Sequence, residues 1–91
     1  MTVATKLLAA DGEIVGTGAK VLGVHYIGTT TIGVLQLKDG GSGGTVKIDL
    51  NTPAAVPSGF ISIGGGGIVF DNDVYLNIDA NVTSVTVIYA S

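Results

Sequence analysis

Thr45-Val46-Lys47-Ile48-Asp49-Leu50 alternates polar and apolar side chains without a break. Successive side chains of a β-strand point to opposite faces, so this stretch is expected to put Val46, Ile48 and Leu50 on one face and Thr45, Lys47 and Asp49 on the other. A helical period would scatter the same residues around its axis. Immediately upstream, Lys38-Asp39-Gly40-Gly41-Ser42-Gly43-Gly44 has the residues of a tight hairpin connection, and before it Val34-Leu35-Gln36-Leu37 alternates again. One strand with a dry and a wet face, entered from another through a glycine-rich turn, sets the reading for the whole chain.

Working outward, the same period of two places strands near residues 4–9, 13–15, 20–27, 31–38, 45–50, 59–63, 68–70, 73–78 and 84–89. Val74, Leu76 and Ile78 are expected to face inward, as are Val85, Val87 and Tyr89. Helix signals are nearly absent: only residues 5–10 could form a turn of helix, and the Asp11-Gly12 pair after them reads better as a hairpin. Eight or nine short strands in succession, joined by short links, predict an all-β chain folded as a single antiparallel β-sandwich of jelly-roll type. No linker or internal repeat divides it, so residues 1–91 are read as one domain.

The stretch Lys20-Val21-Leu22-Gly23-Val24-His25-Tyr26-Ile27 departs from the pattern, being apolar at both odd and even positions. Such a strand is either central or covered by a neighbouring subunit. Val21, Leu22, Val24, His25, Tyr26 and Ile27 are therefore the candidate oligomer-interface residues.

Composition supports assembly. The chain is 46% hydrophobic and only 12% charged, and its mean hydropathy is +0.60. A small soluble domain ordinarily carries about 25% charged residues, and a surface poorer than that tends to self-associate. A domain this short buries only about 60–65% of its unfolded surface. With no cysteine to staple it, burial between subunits is the available supplement.

The basic residues are Lys6, Lys20, Lys38 and Lys47, there is no arginine, and the net charge is −3. That argues against nucleic-acid partners, which call for a clustered cationic patch, and against an anionic membrane surface. The N-terminal apolar run is broken by Asp11 and Glu13 before a signal-type segment develops, and no stretch approaches a membrane span. The chain is expected to be made soluble.

Motifs that could carry chemistry are weak. Gly64-Gly65-Gly66-Gly67 lacks the Gly-Lys-Ser/Thr ending and following helix of a phosphate loop, and so reads as a turn. Asp71, Asn72, Asp73, Asn77, Asp79 and Asn81 form an oxygen-rich stretch, with Asp71 and Asp73 the pair that could meet a calcium or sodium ion. Turn formation is the ordinary use of such residues beside strands. His25 is the only histidine, so no two-histidine metal centre can be built within one chain, although a threefold axis could gather three copies. Ser42 lies in Gly40-Gly41-Ser42-Gly43, which lacks the spacing and following helix of a nucleophile elbow. Asn81-Val82-Thr83 matches a glycosylation acceptor, but no signal peptide accompanies it. Tyr75 is the aromatic expected to be exposed, on the polar face of its strand. No catalytic residue, cofactor or metal is assigned.

Val24-His25-Tyr26-Ile27-Gly28-Thr29-Thr30-Thr31, then Val34-Leu35-Gln36-Leu37-Lys38-Asp39-Gly40 and Gly44-Thr45-Val46-Lys47-Ile48-Asp49-Leu50, resemble in strand and turn order the small β-rich structural proteins of tailed phages. Gly66-Gly67-Ile68-Val69-Phe70-Asp71-Asn72-Asp73-Val74-Tyr75-Leu76-Asn77-Ile78 and Ser84-Val85-Thr86-Val87-Ile88-Tyr89 extend the likeness over about four-fifths of the chain. The resemblance implies a capsid decoration, cement or fibre-associated role in the virion, after synthesis in the host cytoplasm. It implies contact with the major capsid protein or another virion protein, and a homo-oligomer, with a trimer favoured. The alternative expectation is a carbohydrate- or host-surface-binding β-sandwich module.

Overall fold

Nine strands appear where alternation placed them: β1 (Val3–Leu8), β2 (Gly12–Val15), β3 (Ala19–Gly28), β4 (Gly33–Asp39), β5 (Thr45–Thr52), β6 (Ser58–Ser62), β7 (Ile68–Phe70), β8 (Val74–Ile78) and β9 (Val82–Ala90). They belong to a computed structural model that describes residues 3–53, 58–64 and 66–90, among which there is no helix.

Every pairing is antiparallel. β4 and β5 form a hairpin, β3 pairs with both β6 and β7, β2 with β8, and β1 with β9. The chain is thus a two-stranded ribbon with its bend at the β4–β5 turn. The ribbon wraps so that β9 lies against β3 and β8 against β4. The result is two sheets, β1-β9-β3-β6 with β7 also on β3, and β2-β8-β4-β5. With β6 and β7 taken as one interrupted strand, this is the jelly roll. The shortest principal extent, 18 Å, suits two layers packed about 10 Å apart with their outer side chains.

The core lies between the layers. Val21, Val24 and Phe70, with Val85 and Val87, descend from the first sheet onto Leu35, Leu37, Val74 and Leu76 of the second, all fully buried. Burial of each such side chain contributes about 1.5–3 kcal/mol. The inward faces expected for β8 and β9 are observed, with Ile78 and Tyr89 partly buried at their ends.

Two local departures have identifiable causes. Leu37 pairs with Ile48 but Lys38 pairs with Val46, so Lys47 is an extra, bulged residue in β5. That bulge turns Val46 away from Ile48 and Leu50 and leaves it 41% exposed, contrary to the simple alternation. β4 begins two residues later than expected, because Thr29 Oγ1 accepts the Thr31 N–H at 3.1 Å and ties those threonines into a turn.

Candidate functional site

The two sheets turn different faces outward. On the second sheet, β2, β8, β4 and β5 place Glu13, Tyr75, Lys38, Asn77, Gln36 and Asp49 in register across the outer surface. The Asn77 amide donates to Gln36 Oε1 at 3.3 Å. Tyr75 stands between Glu13 and Lys38 in this row and is half-buried, rather than exposed as expected.

The outer face of the first sheet is nearly uncharged and sets exposed apolar side chains among serines, threonines and His25. Register puts Leu7 opposite Thr86, Gly23 opposite Ile88, His25 between Thr86 and Phe60, and Lys20 beside Val69. Leu7, Ile27, Phe60 and Val69 are between 43% and 61% exposed. Lys20, at the β7 end, is the one charged residue in this set. A Cβ added to Gly23 would lie 2.9 Å from Phe60 Cζ, so the missing side chain lets the Phe60 ring lie against β3. An exposed aromatic braced on a glycine, with Ile27 and Ile88 on the neighbouring register positions and Leu7 beyond His25 and Thr86, is a feature of the kind that marks contact surfaces.

The six interface candidates on β3 divide between the two sides of the sheet. Val21 pairs with Tyr89 and Gly23 with Ile88, so Leu22 is a bulged residue. Its carbonyl accepts the Ile63 N–H at 2.9 Å, where β6 gives way to β7. Because of this extra residue, Val21 and Val24 both point inward although they are three apart. Val21, Val24 and Tyr26 therefore belong to the subunit's own core. The strand is not apolar on both faces: outward it presents Gly23, His25 and Ile27, with Leu22 half-buried beside Gly67. His25 and Ile27 are the two of the six that stand exposed on the outer sheet face. Sequence reading missed Phe60, Val69 and Leu7, whose association with them comes only from strand order.

Asp71 and Asp73 lie in the turn between β7 and β8, where carboxylates act as turn braces. Asp73 Oδ1 accepts the N–H groups of Gly40 at 2.7 Å and Gly41 at 3.0 Å. Asp39 accepts those of Asp71 and Asn72, each at 2.9 Å. Amide donors thus occupy Asp73 Oδ1 and both carboxylate oxygens of Asp39. Backbone bonds to this turn hold the Asp39 carboxyl below its usual value; those from Asp71 and Asn72 are the largest causes, desolvation opposes them, and the Asp73 bond and the Lys47 charge add smaller contributions in the lowering direction. Among the described residues no group of three or more His, Asp or Glu side chains is placed to hold a metal.

The glycine run joins β6 to β7. Gly66 and Gly67 take φ values of 84° and 96°, and the Gly67 N–H donates to the Gly64 carbonyl at 3.3 Å; Gly65 lies outside the described residues. The segment leads into a strand, so no helix dipole meets it. Ser42 sits in the β4–β5 hairpin of the second sheet, whereas His25 is on the outer face of the first, so the structure does not bring them together. An open cleft of about 450 Å³ beside Gly18, Lys20, Phe70 and Asp71 contains one cation and one carboxylate but no histidine, serine or threonine. No protein-family model, curated protein or solved structure matches the chain.

Proposed function

We propose that the chain is a non-enzymatic structural protein of a tailed-phage particle, a capsid decoration or cement subunit. It acts as a homo-oligomer seated on the major capsid protein or another virion protein. The observation that carries this reading is the outer face of the first sheet, which exposes Leu7, Ile27, Phe60 and Val69, with Ile88 half-buried, and carries only Lys20 as a charge. A domain of this size gains little from leaving such a face in water, and covering it contributes roughly 25 cal/mol per Å² of apolar surface removed. The opposite face, with Glu13, Lys38 and Asp49, suits the solvent side of a shell. Trimer formation rests on the phage resemblance alone.

The decisive experiment is quantitative mass spectrometry of purified parent particles, with cryo-electron microscopy to locate the chain. A fixed copy number relative to the major capsid protein, with the first sheet turned toward the shell, is the expected result. Absence of the chain from washed particles overturns the proposal.

A further inference from the structure

Edge strands carry backbone donors and acceptors that the sheet itself does not use, and the four edges of this sandwich are unequally protected. β5 carries exposed Lys47 and Asp49 and is bulged at Lys47. β2 has four residues, one of them Glu13, with a register shift inside it. The opposite edge of the first sheet is split between β6 and β7 by residues 63–67. β1 alone is long and regular: its pairing with β9 runs unbroken from Val3↔Ala90 to Leu8↔Val85. Among the described residues no strand pairs with its other side. Val3 and Leu7 on it are 56% and 61% exposed.

We infer that β1 is the edge through which two copies of this chain pair, antiparallel about a twofold axis at Thr5. The inference deepens the assembly reading above and replaces its threefold expectation with a twofold one. The argument is one of register. Lys6 and Leu8 lie opposite Val87 and Val85, which are fully buried, so Ala4, Lys6 and Leu8 share the inner face while Val3, Thr5 and Leu7 share the outer one. A twofold axis perpendicular to the sheet keeps like faces together, so only odd-with-odd and even-with-even pairings are allowed.

Two allowed registers match five residues. Centred on Lys6, the pairing sets two ammonium groups directly opposite each other, a destabilising arrangement. Centred on Thr5, it sets Thr5 against Thr5 and Val3 against Leu7 on the outer face, twice. On the inner face Lys6 meets Ala4, whose small side chain leaves the ammonium a way to water. The strand is therefore self-complementary in one register, and its single lysine disfavours the competitor. Pairing joins two first sheets edge to edge and their apolar outer faces side by side. A six-residue edge buries less than the roughly 800 Å² per partner of a standard interface, so dissociation in about the micromolar range is expected.

The absence of cysteine makes the test clean. Directly opposed residues have Cα atoms about 4.5–5.5 Å apart, within disulfide reach, whereas in the Thr5-centred register Ala4 and the other copy's Leu8 are offset by two residues and sit about 7–8 Å apart, beyond it. Mild oxidation of the full chain should therefore convert T5C to a covalent dimer and join V3C to L7C in a mixture of the two variants, but not join A4C to L8C, the pair that the Lys6-centred register opposes; all of these keep Lys6. Light scattering should give a concentration-dependent mass of two chains for the unmodified protein, lost in T5K with the circular dichroism spectrum unchanged. Preferential cross-linking of A4C to L8C, a mass of three chains, or a single-chain mass at roughly 100 µM, well above the expected dissociation range, would overturn the inference. A chain monomeric in solution yet present on particles removes this pairing and leaves the structural role standing. A dimer absent from particles does the reverse.

Discussion

Asp39 and Asp73 each hold the turn that carries the other. Asp39, at the end of β4, accepts backbone N–H groups from the turn at residues 71–73, and Asp73 accepts those of Gly40 and Gly41 in the turn that follows Asp39. The two turns are more than thirty residues apart in sequence but emerge side by side, because β4 pairs with β8. The reciprocal clasp satisfies backbone donors that no ladder reaches, and it fixes where the ribbon folds back.

The clasp makes stability pH-dependent. The Asp39 carboxyl is held below its ordinary value of 3.8 by the turn amides. It binds protons less readily folded than unfolded, so its stabilising contribution is present above that ordinary value and disappears as pH falls through the lower folded one. Asp39→Asn replaces one accepting oxygen by a donor facing other donors. Urea denaturation should show the variant less stable at neutral pH, with the gap to wild type narrowing on acidification below about pH 4. A gap independent of pH would remove the carboxylate from the account.

Substitutions on β3 should divide by face. Val24→Asp puts a carboxylate into the core without a partner and should cost more than about 3 kcal/mol, enough to unfold a marginal domain. His25→Asp, one residue along and exposed, should change stability by less than about 1 kcal/mol. Chemical denaturation of the two variants checks this, and equal losses would contradict the face assignment.

The strand plan was legible because period-two alternation is a local property, and each predicted segment overlaps a strand. The wrapping was legible only as a class, since nothing in the sequence of β1 says that its partner is β9. Bulges escaped for a physical reason: one extra residue at Leu22 or Lys47 inverts the facing of its neighbours without changing which residue types occur there. That is why Val24 and Tyr26 read as contact residues and Val46 read as core. The apolar outer face was illegible because Leu7, Ile27, Phe60, Val69 and Ile88 come from five strands, each with only one or two outward apolar residues.

The β4–β5 hairpin should discriminate between adjacent glycines. A Cβ on Gly44 would overlap the Asp39 carbonyl oxygen, and backbone there cannot give way without disturbing the clasp. Gly43 has nothing within 4 Å of such a Cβ. Gly44→Ala should lower stability by about 1–3 kcal/mol while Gly43→Ala stays within about 0.5 kcal/mol. Thermal melts of the pair read the difference, and equal tolerance would mean that the turn relaxes.

Which face of the sandwich meets the particle can be settled with a matched pair of substitutions. Ile27 on the first sheet and Val46 on the second are 43% and 41% exposed. A new carboxylate therefore has similar access to water at either site in the free subunit. Ile27→Asp and Val46→Asp should leave the fold intact to a similar degree, with stability changes of less than about 1 kcal/mol. Their effect on docking should differ, because a carboxylate desolvated in an apolar contact has no partner to replace its water, a penalty of several kcal/mol in a fully closed interface. Each 1.4 kcal/mol lowers affinity tenfold, so Ile27→Asp should reduce binding to particles lacking the endogenous chain by at least 100-fold. Val46→Asp should bind as wild type does. Phe60→Ala serves as a second probe of the same face: it removes the ring resting on Gly23, adds no charge, and should weaken binding about 10- to 100-fold. If Val46→Asp is the variant that fails while Ile27→Asp and Phe60→Ala bind normally, the second sheet is the docking face and the proposed orientation is reversed.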